Sequence, residues 1–204
     1  MSGPEALGFA ANLYRLPAPG GYFLVDAGLP WEARRLLRRL PGPPKLLFLT
    51  HHHLDHSGGA RALWECFGIP VLAHPSEWPY LTGQRPRPPL PVPLLGGWLA
   101  NLAPPLPKAA LQPVEEGDEV LGWRVVALPG HTLGQVGLLR EGVLVAGDAL
   151  RGRGLPPRFI NEDHALAQKT VRKILDLGVE RIHIGHGRPL SRDEVEALAR
   201  RLGV

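Results

Sequence analysis

Within six residues the chain places His51, His53, Asp55 and His56, directly behind the apolar run Leu46-Leu47-Phe48-Leu49 and directly ahead of Ser57-Gly58-Gly59. No other stretch restricts the fold so tightly. An apolar run bounded by turn residues reads as a buried strand, and a helical pattern resumes near Ala60. A strand, a short polar turn and a helix make a rigid mount for side chains that converge on one point. Residues i and i+2 of an extended segment face the same way, so His51, His53 and Asp55 project to one side, with His56 brought round by the turn. Imidazole suits zinc, copper, iron or nickel, and carboxylate adds a hard oxygen ligand. Four such groups exceed what a single three-ligand catalytic zinc needs, which points to two metals. The run lies inside the chain, behind a core strand, and carries an aspartate, so it is not a polyhistidine tag.

The rest of the chain bounds where such a site can sit. Its 204 residues suit one domain with a proper core, and 44% hydrophobic and 21% charged residues match a soluble globular class. No stretch approaches 18 uninterrupted apolar residues, and Met1-Ser2-Gly3-Pro4-Glu5 lacks a basic n-region, so neither a membrane span nor a secretory signal is expected and the cytoplasm is the expected compartment. One cysteine, Cys66, excludes an internal disulfide framework; inside a helical pattern it reads as an inert buried thiol. The net charge of +4 comes mostly from arginine. Between Trp31 and Leu40, the residues Ala33, Leu36, Leu37 and Leu40 form a core stripe, while Arg34, Arg35, Arg38 and Arg39 cover the opposite face. That is a solvated helix face rather than a nucleic-acid patch. The partner expected is a small-molecule substrate, with no nucleic acid and no membrane, on a monomer or homodimer.

Taken in order, residues 11–16 and 21–26 predict a hairpin, 46–49 a strand, 60–67 a helix, and Ile69–Ala73 a strand that starts or edges at Pro70. From His74 to about Glu116 the chain is rich in proline and poor in charge, with Trp78, Tyr80 and Trp98 and a short helix expected within Leu94–Leu102. A long segment with little regular structure in a compact domain is a functional lid or a linker, and its aromatic and leucine content argues for order. Residues 75–115 are therefore expected to form a cap insertion on a single domain spanning 1–204. Strands then resume at Trp123–Leu128, Gln135–Leu139, Val143–Ala146 and Arg181–Ile184, with a helix from near Asn161–Asp163 and a last helix opened by the capping box Ser191-Arg192-Asp193-Glu194.

One grammar recurs along this path: an apolar strand, then glycine or threonine, then histidine or aspartate. It yields His51/His53/Asp55/His56, then His131, Asp148 and His186. With each group aimed from a strand end, they are expected to line one concave site. At this point the chain resembles the metallo-β-lactamase superfamily, over roughly residues 9 to 190. The resemblance is carried by Val25-Asp26-Ala27-Gly28, Thr50-His51-His52-His53-Leu54-Asp55-His56-Ser57-Gly58-Gly59, Pro129-Gly130-His131-Thr132-Leu133-Gly134, Ala146-Gly147-Asp148 and Gly185-His186-Gly187. It implies an α/β fold, a four-layer αββα sandwich of two mixed sheets flanked by helices.

The resemblance also implies roles. His51, His53 and His131 would hold one metal, Asp55, His56 and His186 the other, and Asp148 would bridge them. The cofactors implied are two divalent ions, zinc first, with iron or manganese as alternatives. Asp26 would accept from a ligand histidine's free N–H and fix its tautomer. His52 would point away; His52 and His183 are expected to be structural, His164 to lie at the surface, and His74 to be a candidate for the substrate mouth. A metal-bridging hydroxide would be the nucleophile at neutral pH, Asp55 and Asp148 acting at the reaction centre, so neither serine nor cysteine is needed. β-Lactamases of this type place a cysteine where Asp148 stands, which argues against antibiotic hydrolysis. The triple histidine resembles glyoxalase II and small lactonase-like hydrolases, although only Pro189–Val204 follow the last ligand, where glyoxalase II carries a helical glutathione-binding domain. The expected function is hydrolysis of a small ester, thioester or lactone. The alternatives are a mononuclear-iron persulfide dioxygenase and a phosphodiesterase or nuclease of the same superfamily.

Overall fold

The computed structural model describes residues 3–88 and 94–204. Pro89, Pro91 and Pro93 of the expected cap lie outside the described residues. The chain divides into two compact units between Val114 and Glu115, and each builds its own sheet and core.

In the first unit a six-stranded sheet runs in sequence order. Its strands are β1 (Glu5–Gly8), β2 (Asn12–Ala18), β3 (Gly21–Val25), β4 (Leu47–Phe48), β5 (Val71–Ala73) and β6 (Leu111–Pro113). β1, β2 and β3 pair antiparallel, and β3 to β6 are parallel. The expected hairpin is β2–β3, with Arg15 opposite Leu24 and Leu16 opposite Phe23. β5 is not an edge. Pro70 stands just before it and needs no ladder N–H, while its carbonyl accepts the Leu47 N–H at 3.0 Å. Helices α1 (Ala33–Arg39), α2 (Leu54–Ser57), α3 (Ala60–Phe67), α4 (Trp78–Leu81) and α5 (Gly96–Ala100) complete the unit. One core gathers Leu13, Leu24, Leu47, Leu49 and Val71 of the sheet with Leu36, Ala60 and Leu63 of the helices. Phe23, Val25, Phe48 and Leu72, which alternate with these, are buried too, so the sheet is covered on both faces.

In the second unit the spatial order is β12-β11-β10-β9-β8-β7. The strands are β7 (Glu119–Val120), β8 (Trp123–Ala127), β9 (Val136–Arg140), β10 (Val143–Val145), β11 (Arg181–His183) and β12 (Leu190–Ser191). β10 and β11 are parallel, joined by helix α6 (His164–Asp176), and the other pairs are antiparallel. Helix α7 (Arg192–Leu202) closes the chain behind its capping box: the Ser191 hydroxyl accepts the Glu194 N–H, and the Glu194 carboxylate accepts the Ser191 N–H. Val171 and Ile174 of α6 and Val195 and Leu198 of α7 pack with Val126, Leu144, Ile182 and Ile184 of the sheet. The fold is thus α/β, with two mixed sheets flanked by helices. No helix among the described residues is long and apolar enough to cross a membrane.

One expectation is corrected here. Cys66 is exposed, not buried. The face of α3 that meets the core is set by Ala60 and Leu63. At 100° per residue Cys66 points about a quarter turn away from that direction, between the core stripe and solvent-facing Glu65.

Candidate metal centre

The first cluster of ligand-type side chains grows from the end of β4. His51 and His52 follow without regular structure, and His53 (φ −59°, ψ 151°) caps the short helix α2, which carries Asp55 and His56. The ring centroids of His51 and His53 lie 4.8 Å apart and those of His51 and His56 4.2 Å apart. His56 Nε2 stands 3.9 Å from Asp55 Oδ2. His51 and His56 are fully buried, while His53 and Asp55 are partly exposed. All four come together, but not by strand alternation alone: Asp55, expected to continue the extended run of His51 and His53, stands with His56 on helix α2.

Asp26 sets their orientation. Its carboxylate accepts from the Thr50 N–H at 2.8 Å and from the Thr50 hydroxyl at 2.9 Å. His56 Nδ1 lies 2.7 Å from Oδ2, so this nitrogen is the donor. With its own proton spent on Asp26, the Thr50 oxygen accepts from His51 Nδ1 at 3.0 Å. One carboxylate thus puts the Nδ1 proton on both rings, leaving each Nε2 as a lone-pair donor. The resemblance gives Asp26 one histidine; the geometry gives it two, the second through Thr50. Asp26 does this with a left-handed backbone (φ 65°), a conformation that aspartate tolerates better than most residues. Behind the cluster, Gly59 allows close approach: a Cβ there would stand 2.3 Å from the Ala27 carbonyl oxygen.

The second cluster comes from three separate strand ends. His131 sits in the turn after β8, Asp148 in a 3-10 turn (Gly147–Ala149) after β10, and His186 in the loop after β11. Asp148 Oδ2 lies 3.4 Å from His186 Nε2 and 3.7 Å from His131 Nε2. Asp148 and His131 are buried, and Asp148 holds the bridge-region backbone (φ −94°, ψ 21°) common at functional sites. Glycines carry the backbone into these positions. Gly130 (φ 134°) is pressed against α6, where a Cβ would stand 2.3 Å from Ala167 N, and Gly185 N–H donates to Gly147 O at 2.8 Å.

His131 Nδ1 lies 3.1 Å from Asn161 Oδ1. Because Asn161 Nδ2 donates to Pro156 O at 3.2 Å, the amide is oriented with its oxygen toward His131, which then donates. Nε2 of His131 is thereby left toward Asp148. The sequence flagged Asn161 only as a helix start, and the resemblance gave no hint of this role.

The remaining histidines divide. His52 is buried against Glu77 and stacked on Tyr80 at 4.1 Å, a structural setting as expected. His183 is buried, and burial first, then Arg181, pulls its pKa down to about 4. His74 caps the turn at Pro75–Glu77 by accepting the Ser76 N–H. His164 is partly exposed, with its Nδ1 2.9 Å from Asn161 Nδ2.

Comparison with known proteins names the class. The sequence profile of the metallo-beta-lactamase superfamily matches residues 8–186, and the chain belongs to that superfamily. Among its relatives, the probable metallo-hydrolase YflN of Bacillus subtilis (strain 168) is 31% identical over 94% of this chain and 88% of its own length. The hydroxyacylglutathione hydrolase of Anaeromyxobacter dehalogenans (strain 2CP-C) is 34% identical over 85% of this chain but only 60% of its own length. The crystal structure of TTHA1623 in a di-iron-bound form superposes with a TM-score of 0.75 at 29% identity, covering 95% of this chain and 96% of that one. The chain is accordingly a hydrolase of a metal-binding superfamily, with histidine and aspartate side chains as candidate ligands.

Proposed function

We propose that the two clusters together bind two divalent metal ions and hydrolyse a small ester, thioester or lactone. His51, His53 and His131 would hold one ion, Asp55, His56 and His186 the other, with Asp148 shared. The donor set fits: imidazole nitrogens and carboxylate oxygens suit zinc and iron alike. The di-iron form of TTHA1623 supports iron as the rival to zinc. The observation that supports the reading most is the fixing of Nδ1 on His51, His56 and His131 by oxygen partners, which leaves the Nε2 atoms as lone-pair donors suited to a metal.

When bound, such a pair supplies Lewis acidity and brings the pKa of water to about 7. The chain's own part is to hold the imidazoles in one tautomer through Asp26, Thr50 and Asn161, and to keep Asp148 buried. Asp55, partly exposed beside His56, is placed to orient the attacking water. The kinship with hydroxyacylglutathione hydrolases supports a thioester among the candidate substrates.

We assign the segment 75–115 the role of a cap that selects the acyl group, on the strength of its exposed Leu94, Leu95 and Trp98. Metal quantification beside a panel of thioesters, lactones, phosphodiesters, persulfides and β-lactams tests the whole reading. A chain that takes up neither zinc, iron nor manganese sinks it. A single iron with oxygen uptake on persulfides replaces it with a dioxygenase. Trp98→Ala tests the cap: kcat/KM unchanged across acyl-chain lengths makes that segment structural only.

A further inference from the structure

Two buried charged side chains from the segment after β5 end on the backbone of the ligand turn. Glu77, 1% exposed, accepts the His52 N–H at 2.8 Å and also meets His52 Nδ1. Arg87, 6% exposed, donates from Nε to the His52 carbonyl at 2.8 Å and from Nη2 to Ser57 Oγ at 3.3 Å. Ser57 Oγ in turn donates to the carbonyls of His52 and His53. Arg87 is held from behind by Asn101, whose Oδ1 accepts the Arg87 N–H at 2.7 Å.

His52 is thus gripped at both its N–H and its C=O. Its two neighbours in the chain, His51 and His53, are ligand-type residues. Fixing the peptides on either side of His52 fixes the directions in which those two side chains leave the backbone. Burying two charges is costly unless their polar atoms are hydrogen-bonded, and here those bonds end on the backbone of the ligand turn.

We propose that Glu77 and Arg87 are positioning residues that set the metal affinity of the His51–His53 turn by clamping the peptide groups of His52; this rests on the metal-binding reading above. The segment expected as a roof then also serves as a brace for the turn.

The test is zinc affinity of the full chain, measured by competition with a chromophoric chelator, beside Tm. Glu77→Ala and Arg87→Ala each weaken zinc by at least about tenfold, the scale on which supporting contacts act at metal sites. Glu77→Gln keeps an oxygen for the His52 N–H and recovers most of the loss. Leu36→Ala, in the core of the same unit but on α1, lowers Tm and leaves zinc affinity within about twofold. Should Arg87→Ala fail to fold, Arg87→Lys keeps the charge, loses the Nε donor, and weakens zinc with the circular dichroism unchanged. Wild-type affinity in the Glu77 and Arg87 variants, or an equal loss in Leu36→Ala, overturns the positioning role. A wild-type chain that binds no metal overturns the metal reading and this proposal with it, so the two failures are told apart.

Discussion

The two ligand clusters are built in opposite ways. In the first unit four ligand-type residues lie within six positions of one turn, and a single buried carboxylate, Asp26, orients two of their rings. In the second unit three ligand-type residues come from three strand ends separated by long stretches of chain, and their closeness depends on sheet order and on glycines that let the turns approach. The first cluster is held by hydrogen bonds from charged and polar groups; the second is held by topology, with a neutral amide, Asn161, supporting His131. A compact motif is braced by side chains brought in from elsewhere in its own unit, whereas a dispersed set needs an intact sheet.

The largest expected effect comes from the centre of the dispersed cluster. Asp148→Ala removes the carboxylate that both His131 and His186 face, and lowers kcat/KM on any hydrolysed substrate by at least about a thousandfold, roughly 4 kcal/mol. Steady-state kinetics with metal analysis check it, and a rate close to wild type breaks the assignment of the second cluster.

Next comes acid. His183 titrates near 4 in the folded chain against an ordinary value of 6.5, so the unfolded chain binds its proton first. Between those values the unfolded state holds more protons, and stability falls as pH drops from about 6.5 to about 4, by roughly 3 kcal/mol at most. Urea denaturation of metal-free protein at several pH values measures it. His183→Gln flattens this slope, and an unaltered slope refutes burial of His183 as its source.

Third, Asp26→Ala weakens metal affinity about 10- to 100-fold, because two rings lose their orientation, while Asn161→Ala, which frees one ring from a neutral partner, costs about tenfold or less. Equal losses in the chelator competition would erase the contrast between the clusters. The smallest effect is Ser191→Ala, which removes the α7 cap at a cost of about 1 kcal/mol. Metal affinity unchanged in that variant shows that a modest loss of stability in the second unit does not by itself disturb binding.

The same contrast governs what could be read from sequence. The spacing of His51, His53, Asp55 and His56 is local, so their clustering is legible although Asp55 and His56 stand on a short helix rather than in an extended run, and the helix at 60–67 and the capping box at Ser191 were equally legible. His131, Asp148 and His186 became candidates only through the repeated strand-end pattern and the family resemblance, since nothing in their separation along the chain says they meet. Asn161, Glu77 and Arg87 were missed. Each acts through a partner remote in sequence, His131 for the first and the peptide of His52 for the other two. A trace did exist: Glu77 and Arg87 are charges in a segment otherwise poor in them, and such charges, when buried, have a partner. Cys66 went the other way because a helix of eight residues buries only a narrow stripe, and composition does not say on which side of it a residue falls.

The carboxylate of Asp26 has a consequence for how the centre would load. His51 and His56 are assigned to different ions, yet both rings are oriented by one side chain. Under that proposed assignment, filling one position would stiffen the anchor of the other. The two ions would not titrate as independent equivalents, and neither could be exchanged for a metal of different size without retuning its neighbour.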